Sequence, residues 1–183
     1  MSATDYEVDI RDHQFVLFEQ LKVQDSKDPK YADFDAELYG MILDEARKMA
    51  EGTIAPINGP GDRSGCSWSD GAVTTPAGFQ AAYKTFCEAG WGATTVPQDD
   101  GGQGLPAPVS LSVLEMFTGA GCAFMMYPGL TTAACNLVRH MGSDWMKETI
   151  LPHLVSGNWA GTMCLTEPQA GSAVGDASTV ANR

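Results

Sequence analysis

Positive charge is scarce in this sequence: 11 Lys and Arg stand against 23 Asp and Glu, a formal net charge of −12. Phosphate backbones bind proteins through Lys and Arg, so the balance argues against nucleic acid and against an anionic membrane surface. Long apolar runs are missing too. No stretch nears the ~20 consecutive apolar residues of a membrane span, and residues 1–11 lack the apolar core of a secretory signal. A metal has little to bind: His13, His140 and His153 lie far apart, and no two cysteines have CxxC spacing. The five cysteines (Cys66, Cys87, Cys122, Cys135, Cys164) are an odd number and read as reduced thiols, the cytoplasmic pattern. The glycines at 101–104 lack the Gly-Lys-Ser/Thr of a phosphate loop, so that stretch reads as a plain loop.

What is present is enough apolar material for a core. Of 183 residues, 44% are hydrophobic and 19% charged, which suits one domain, or one domain and the beginning of another. Apolar residues recur at helical spacing over 9–23, 33–54, 107–118 and 126–141. Pro76 is placed to start a further helix with the face Phe79, Ala82, Tyr83 and Phe86, closed by Gly90. Ser143 is placed to cap a helix ending near 155. Residues 58–65, rich in Gly and Pro, read as a loop, and 67–75 as a small hairpin turning at Asp70-Gly71. At 159–166 the pattern turns short, apolar and β-compatible, with no partner strand after it. The expected fold is mainly α: a helical extension over 1–32, a helical domain over 33–156, and the first strand of an incomplete β domain over 157–183.

Most chemically suggestive residues have bland explanations. Asp99-Asp100 lacks further oxygen ligands at Ca²⁺-loop spacing. Glu115 and Glu148 fall on helices as solvated charges, and Phe124-Met125-Met126-Tyr127 is ordinary core material. The turn Ala170-Gly171-Ser172 is different, because small residues let the backbone N–H groups approach a phosphate or the polar edge of a ring.

Residues 163–172, Met-Cys-Leu-Thr-Glu-Pro-Gln-Ala-Gly-Ser, resemble the acyl-CoA dehydrogenase signature, an apolar residue followed by T-E-P-x-A-G-S-D. Gly90-Trp91, Val96-Pro97 and Gly101–Gly104 resemble that family's loop between early helices, and Leu151-Pro152-His153-Leu154 with Ser156-Gly157 resembles the L-P-x-L-x-x-G before the signature. The N-terminal lead, residues 67–76 and Tyr127-Pro128-Gly129-Leu130 look closest to the 3-methylmercaptopropionyl-CoA dehydrogenase-like subgroup.

The resemblance implies a helical N-terminal domain, a middle β domain and a C-terminal helical bundle, with FAD between the last two. Met163, Cys164, Leu165 and Thr166 would lie along the flavin, with Gly171 and Ser172 at its pyrophosphate. Ser172 would also lie near the acyl-CoA, and Phe124, Tyr127 and Leu130 would line the acyl pocket. The reaction implied is α,β-dehydrogenation of an acyl-CoA thioester, with electron-transfer flavoprotein as acceptor and a homo-oligomeric assembly.

Two departures matter. Ala173 stands where the signature has Asp, and the family's catalytic Glu belongs to the C-terminal domain, so no residue of this chain is expected to be the base. The chain is therefore expected to be inactive alone. A split subunit completed by a complementary chain and a non-catalytic acyl-CoA-binding module are the alternatives.

Overall fold

The computed structural model describes residues 6–182, and the fold they form is mainly helical. The chain enters through α1 (Ile10–Gln14), capped by the Asp9 side chain, and widens into a π-helical stretch, Phe15–Gln20. Helix over 9–23 was expected; the structure ends it at Gln20, and Lys22 follows in left-handed backbone.

Helix α2 (Ala36–Met49) begins where Asp35, in extended backbone, accepts the Leu38 N–H at 2.8 Å. Tyr39, Leu43, Ala46 and Met49 are its buried stripe. It does not stop at Ile54 as its pattern suggests. It passes through a π-helical stretch (Ala50–Ile54) into α3 (Ala55–Ser64). Pro56 cannot donate an N–H and its ring would crowd the carbonyl four residues back; the wider π turn just before it relieves both. The loop expected at 58–65 is thus helix up to Ser64. Gly61 serves packing: a Cβ there would run into the ring of Phe79.

The hairpin is as expected, β1 (Ser67–Ser69) antiparallel to β2 (Ala72–Thr74) around Asp70-Gly71, and both strands are exposed. Helix α4 (Phe79–Glu88) starts three residues later than Pro76, behind Gly78 in left-handed backbone. Helix α5 (Ala107–Ala120) and helix α6 (Cys122–Met141) follow, separated by Gly121. The apolar period alone starts α6 at 126. The structure adds a turn in front of it and carries the helix through Pro128. Ser143 caps α7 (Asp144–Thr149) as expected, and a break at Ile150 separates it from α8 (Leu151–Val155).

Two apolar clusters hold these elements. The larger gathers Tyr39, Leu43, Phe86, Val109, Met116, Phe117 and Phe124; the smaller gathers Ala93, Val96, Cys135, Val138, Leu151 and Leu154. Helix α6 serves both, with Phe124 in the first and Cys135 and Val138 in the second. The glycine-rich stretch folds back on the residues before it: Gly104 N–H donates to the Val96 carbonyl at 2.8 Å and Leu105 N–H to Thr94 at 2.8 Å. Asp100 accepts from Arg139 Nε at 2.7 Å, tying this loop to α6.

After α8 the chain turns at Gly157 (φ +74°). A Cβ there would strike Cys87 Sγ, and L-residues resist this backbone region, so Gly157→Ala is expected to lose roughly 1–3 kcal/mol in urea unfolding. Residues 159–166, expected as a strand, carry no ladder, because no strand among the described residues lies beside them; one isolated bridge joins Glu167 to Ala170. No described helix is long and apolar enough to cross a membrane.

Candidate functional site

The first half of α6 forms one wall of a cleft of about 790 Å³, with α3, the start of the hairpin and α4 opposite. Phe79, Tyr83, Phe124 and Tyr127 make its aromatic side; Asn58, Asp62 and Gln80 make its polar rim. The rings interlock. Phe79 meets Phe124 at 6.2 Å, Phe124 meets Phe86 edge-on at 5.8 Å, and Tyr83 meets Tyr127 edge-on at 4.7 Å. Such contacts fix ring positions as well as burying area. An apolar chain could lie on this wall with its polar end toward Asn58 and Asp62.

Of the residues expected at an acyl pocket, Phe124 and Tyr127 line the cleft. Phe124 is only 3% exposed and supports the wall as core, whereas Tyr127 is 55% exposed at its edge. Leu130 is half-buried and lies outside the lining, and its carbonyl faces Gly161. The opposite wall was not expected: Asn58 and Asp62 fall in the stretch that reads as loop, and Phe79 and Gln80 face α6 only through the packing of α4. The signal available was Pro56, which sits well in a helix's first turn.

The segment expected at a cofactor runs along the other half of α6. Gly161 N–H donates to Thr131 Oγ1 at 3.1 Å, and a Cβ on Gly161 would collide with Ala134, so only glycine permits this approach. Beyond it, Met163 and Leu165 are 62% and 47% exposed, and Cys164, Thr166, Gly171 and Ser172 are exposed as well. Exposed apolar side chains beside free backbone groups present the kind of edge that a flat, partly polar ring can cover.

Glu167 organises the turn that follows. Its carboxylate accepts Ser178 N–H at 2.9 Å and Thr179 N–H at 3.0 Å, and the Gln169 side-chain amide also donates to it. The loop is closed by this residue, although Ala173 has no side chain to do so. The Ser178 amide foremost, then Thr179, holds the Glu167 carboxyl down at about 2, against an ordinary value of 4.5. A carboxylate so held is a poor proton acceptor at neutral pH, which removes Glu167 from candidacy as a base. Because the folded value is depressed, the clamp is fully present above 4.5 and is lost as pH falls toward about 2. Protection of the Ser178 and Thr179 amides, taken relative to the intrinsic exchange rate at each pH, is expected to hold from pH 8 to 5 and to fall below that window. In Glu167→Gln it should be low at every pH.

Among the described residues no group of three or more His, Cys, Asp or Glu could hold a metal. Asp100 is occupied by Arg139, and Glu115 and Glu148 are solvent-exposed.

Comparison with known proteins shows the family. Residues 37–158 match the acyl-CoA dehydrogenase N-terminal domain. A butyryl-CoA dehydrogenase of Syntrophomonas wolfei is 36% identical over 98% of this chain and 30% of its own length. A 3-methylmercaptopropionyl-CoA dehydrogenase of Ruegeria pomeroyi is 36% identical over 78% of this chain and 24% of its own. A broad-specificity linear acyl-CoA dehydrogenase of Mycobacterium tuberculosis is 32% identical over 96% and 29%. The chain belongs to the acyl-CoA dehydrogenase family and carries its N-terminal domain. It spans less than a third of the length of these relatives. The butyryl-CoA enzyme matches over more of the chain at the same identity, so the comparisons do not single out the 3-methylmercaptopropionyl-CoA subgroup.

Proposed function

We propose that this chain supplies the acyl wall and the first cofactor contacts of an FAD-dependent dehydrogenase that introduces an α,β double bond into an acyl-CoA thioester. The observation that carries the reading is the double use of α6. Its first half lines the aromatic cleft, and Thr131 and Ala134 hold the segment leading to Leu165-Thr166. A short or linear acyl group is the substrate class favoured, in keeping with the names of two relatives. The helical module is 33–156, and 157–183 begins the part of the fold that faces the flavin.

The residues present fit FAD. Thr166 offers a hydroxyl and Leu165 an exposed backbone, while the Gly171-Ser172 turn, closed by Glu167, offers N–H groups suited to a pyrophosphate. Met163 and Cys164 extend the same edge. When bound, FAD supplies the two-electron oxidation by accepting the β-hydride. This chain's residues bind and orient: Tyr127, backed by the buried Phe124, holds the acyl chain, and Ser172 approaches both ligands. The α-proton goes to a carboxylate outside this chain, so the chain alone turns over no substrate. Electron-transfer flavoprotein is the acceptor, and a homo-oligomer or a complementary chain completes the enzyme.

Calorimetric titration tests this reading. Butyryl-CoA should bind more tightly than CoA itself, by about 0.8 kcal/mol for each methylene buried. Equal affinity for the two would contradict an acyl wall.

A further inference from the structure

Tyr83 faces two ways. Its ring lines the cleft, edge-on to Tyr127 at 4.7 Å and nearly parallel to Phe86 at 6.4 Å. Its hydroxyl leaves the cleft and donates to the carbonyl of Gly157 at 3.3 Å. Gly157 is where the chain departs from α8 toward the cofactor segment. The junction is crowded, because Cys87 Sγ stands where a side chain on Gly157 would be, with Tyr83 Oη in contact beside it. Burial first, and then Cys87, raises the Tyr83 hydroxyl above its ordinary pKa, so it remains a donor throughout the working pH range.

Three ties fix the chain in succession after α8. Tyr83 Oη bonds Gly157 O, Trp159 N–H bonds His153 O at 3.0 Å, and Gly161 N–H bonds Thr131 Oγ1 at 3.1 Å. Among these donors and acceptors, Tyr83 is the residue whose ring is also cleft wall. Its bond, at 3.3 Å, is long for O–H···O, whose usual length is about 2.7–2.8 Å. It has room to tighten when something packs against the cleft side of the ring.

We propose that Tyr83 is a positioning residue that couples the acyl cleft to the cofactor segment: an acyl chain packed on its ring seats its hydroxyl on Gly157 O and fixes where residues 158–172 leave α8. This rests on the cleft being the acyl site. It gives the enzyme a means of ordering the flavin edge when the acyl group is in place.

Hydrogen–deuterium exchange of the full chain, with and without butyryl-CoA, tests the coupling in wild type and Tyr83→Phe. The variant keeps the ring and loses one hydrogen bond, too small a change to unfold the domain, and α5 amides verify this. In wild type, butyryl-CoA should slow exchange at 58–66 and 123–127, and also slow 159–166 by about fivefold, the effect of one net hydrogen bond. In Tyr83→Phe the cleft protection should remain and the effect at 159–166 should vanish. A purely structural tyrosine would instead speed exchange at 159–166 equally with and without ligand, leaving the ligand effect intact; that result overturns the coupling. So does cleft protection in wild type with no change at 159–166. If 58–66 and 123–127 do not respond in wild type, the acyl reading itself fails, and the coupling with it.

Discussion

Phe86→Ala is expected to destabilise the domain by about 3–5 kcal/mol, measured as a fall in the urea midpoint at unchanged slope. Phe86 is 1% exposed and touches three rings: Tyr83, Phe117 at 5.8 Å and Phe124 at 5.8 Å. Removing it opens a cavity at the point where α4, α5 and α6 meet. Collapse into that cavity would draw Phe124 and Tyr83 away from the cleft, so stability and acyl binding should fall together. Domains of this size are stable by only about 5–15 kcal/mol, which makes the loss a large fraction of the whole. A loss below about 1 kcal/mol would mean that the aromatic cluster is not the core.

The second large effect separates binding from stability. Ala123 is exposed in the first turn of α6 and lines the cleft. Ala123→Trp puts an indole into the space assigned to the acyl chain. Excluding the two methylenes and the methyl of the butyryl chain costs roughly 2 kcal/mol, so butyryl-CoA should bind about 30-fold more weakly. Affinity for CoA should hardly change, and unfolding should shift by no more than about 0.5 kcal/mol, as for other surface substitutions. Equal weakening of CoA and butyryl-CoA would place the acyl group elsewhere.

Much of this architecture was legible in the residues, and the exceptions have physical causes. Ser143 caps a helix through its own side chain, which is local chemistry readable from sequence. The Asp70-Gly71 hairpin is local too, since Asp70 and Gly71 take the positive φ values that this turn requires. Helix α3 was hidden because Asn58-Gly59-Pro60-Gly61 has every mark of a loop. What overrides local preference is tertiary: Gly61 is the only residue that fits beneath Phe79. The strand at 159–166 failed for the converse reason. Its residues suit a strand, but a strand is defined by the neighbour it pairs with, and none lies beside it among the described residues.

The site divides in the same way. The signature at 163–172 is contiguous, so the resemblance it carries is readable in the residues, and Phe124 and Tyr127 lie on one helix turn that lines the cleft. The far wall of the cleft was not readable, because Asn58, Asp62, Phe79 and Gln80 meet α6 only through the packing of α3 and α4. The role of Glu167 lay outside the signature's own residues. Its partners Ser178 and Thr179 stand eleven and twelve residues further on, a separation no motif encodes.

The most direct measurement of the central claim is photolabelling with an acyl-CoA carrying a diazirine at the end of a short acyl chain, followed by peptide mapping. The account predicts crosslinks on 123–127 of α6 and on 58–62 or 79–83 opposite, competed away by butyryl-CoA and not by CoA. Crosslinks confined to other surfaces, or undiminished by butyryl-CoA, would contradict it.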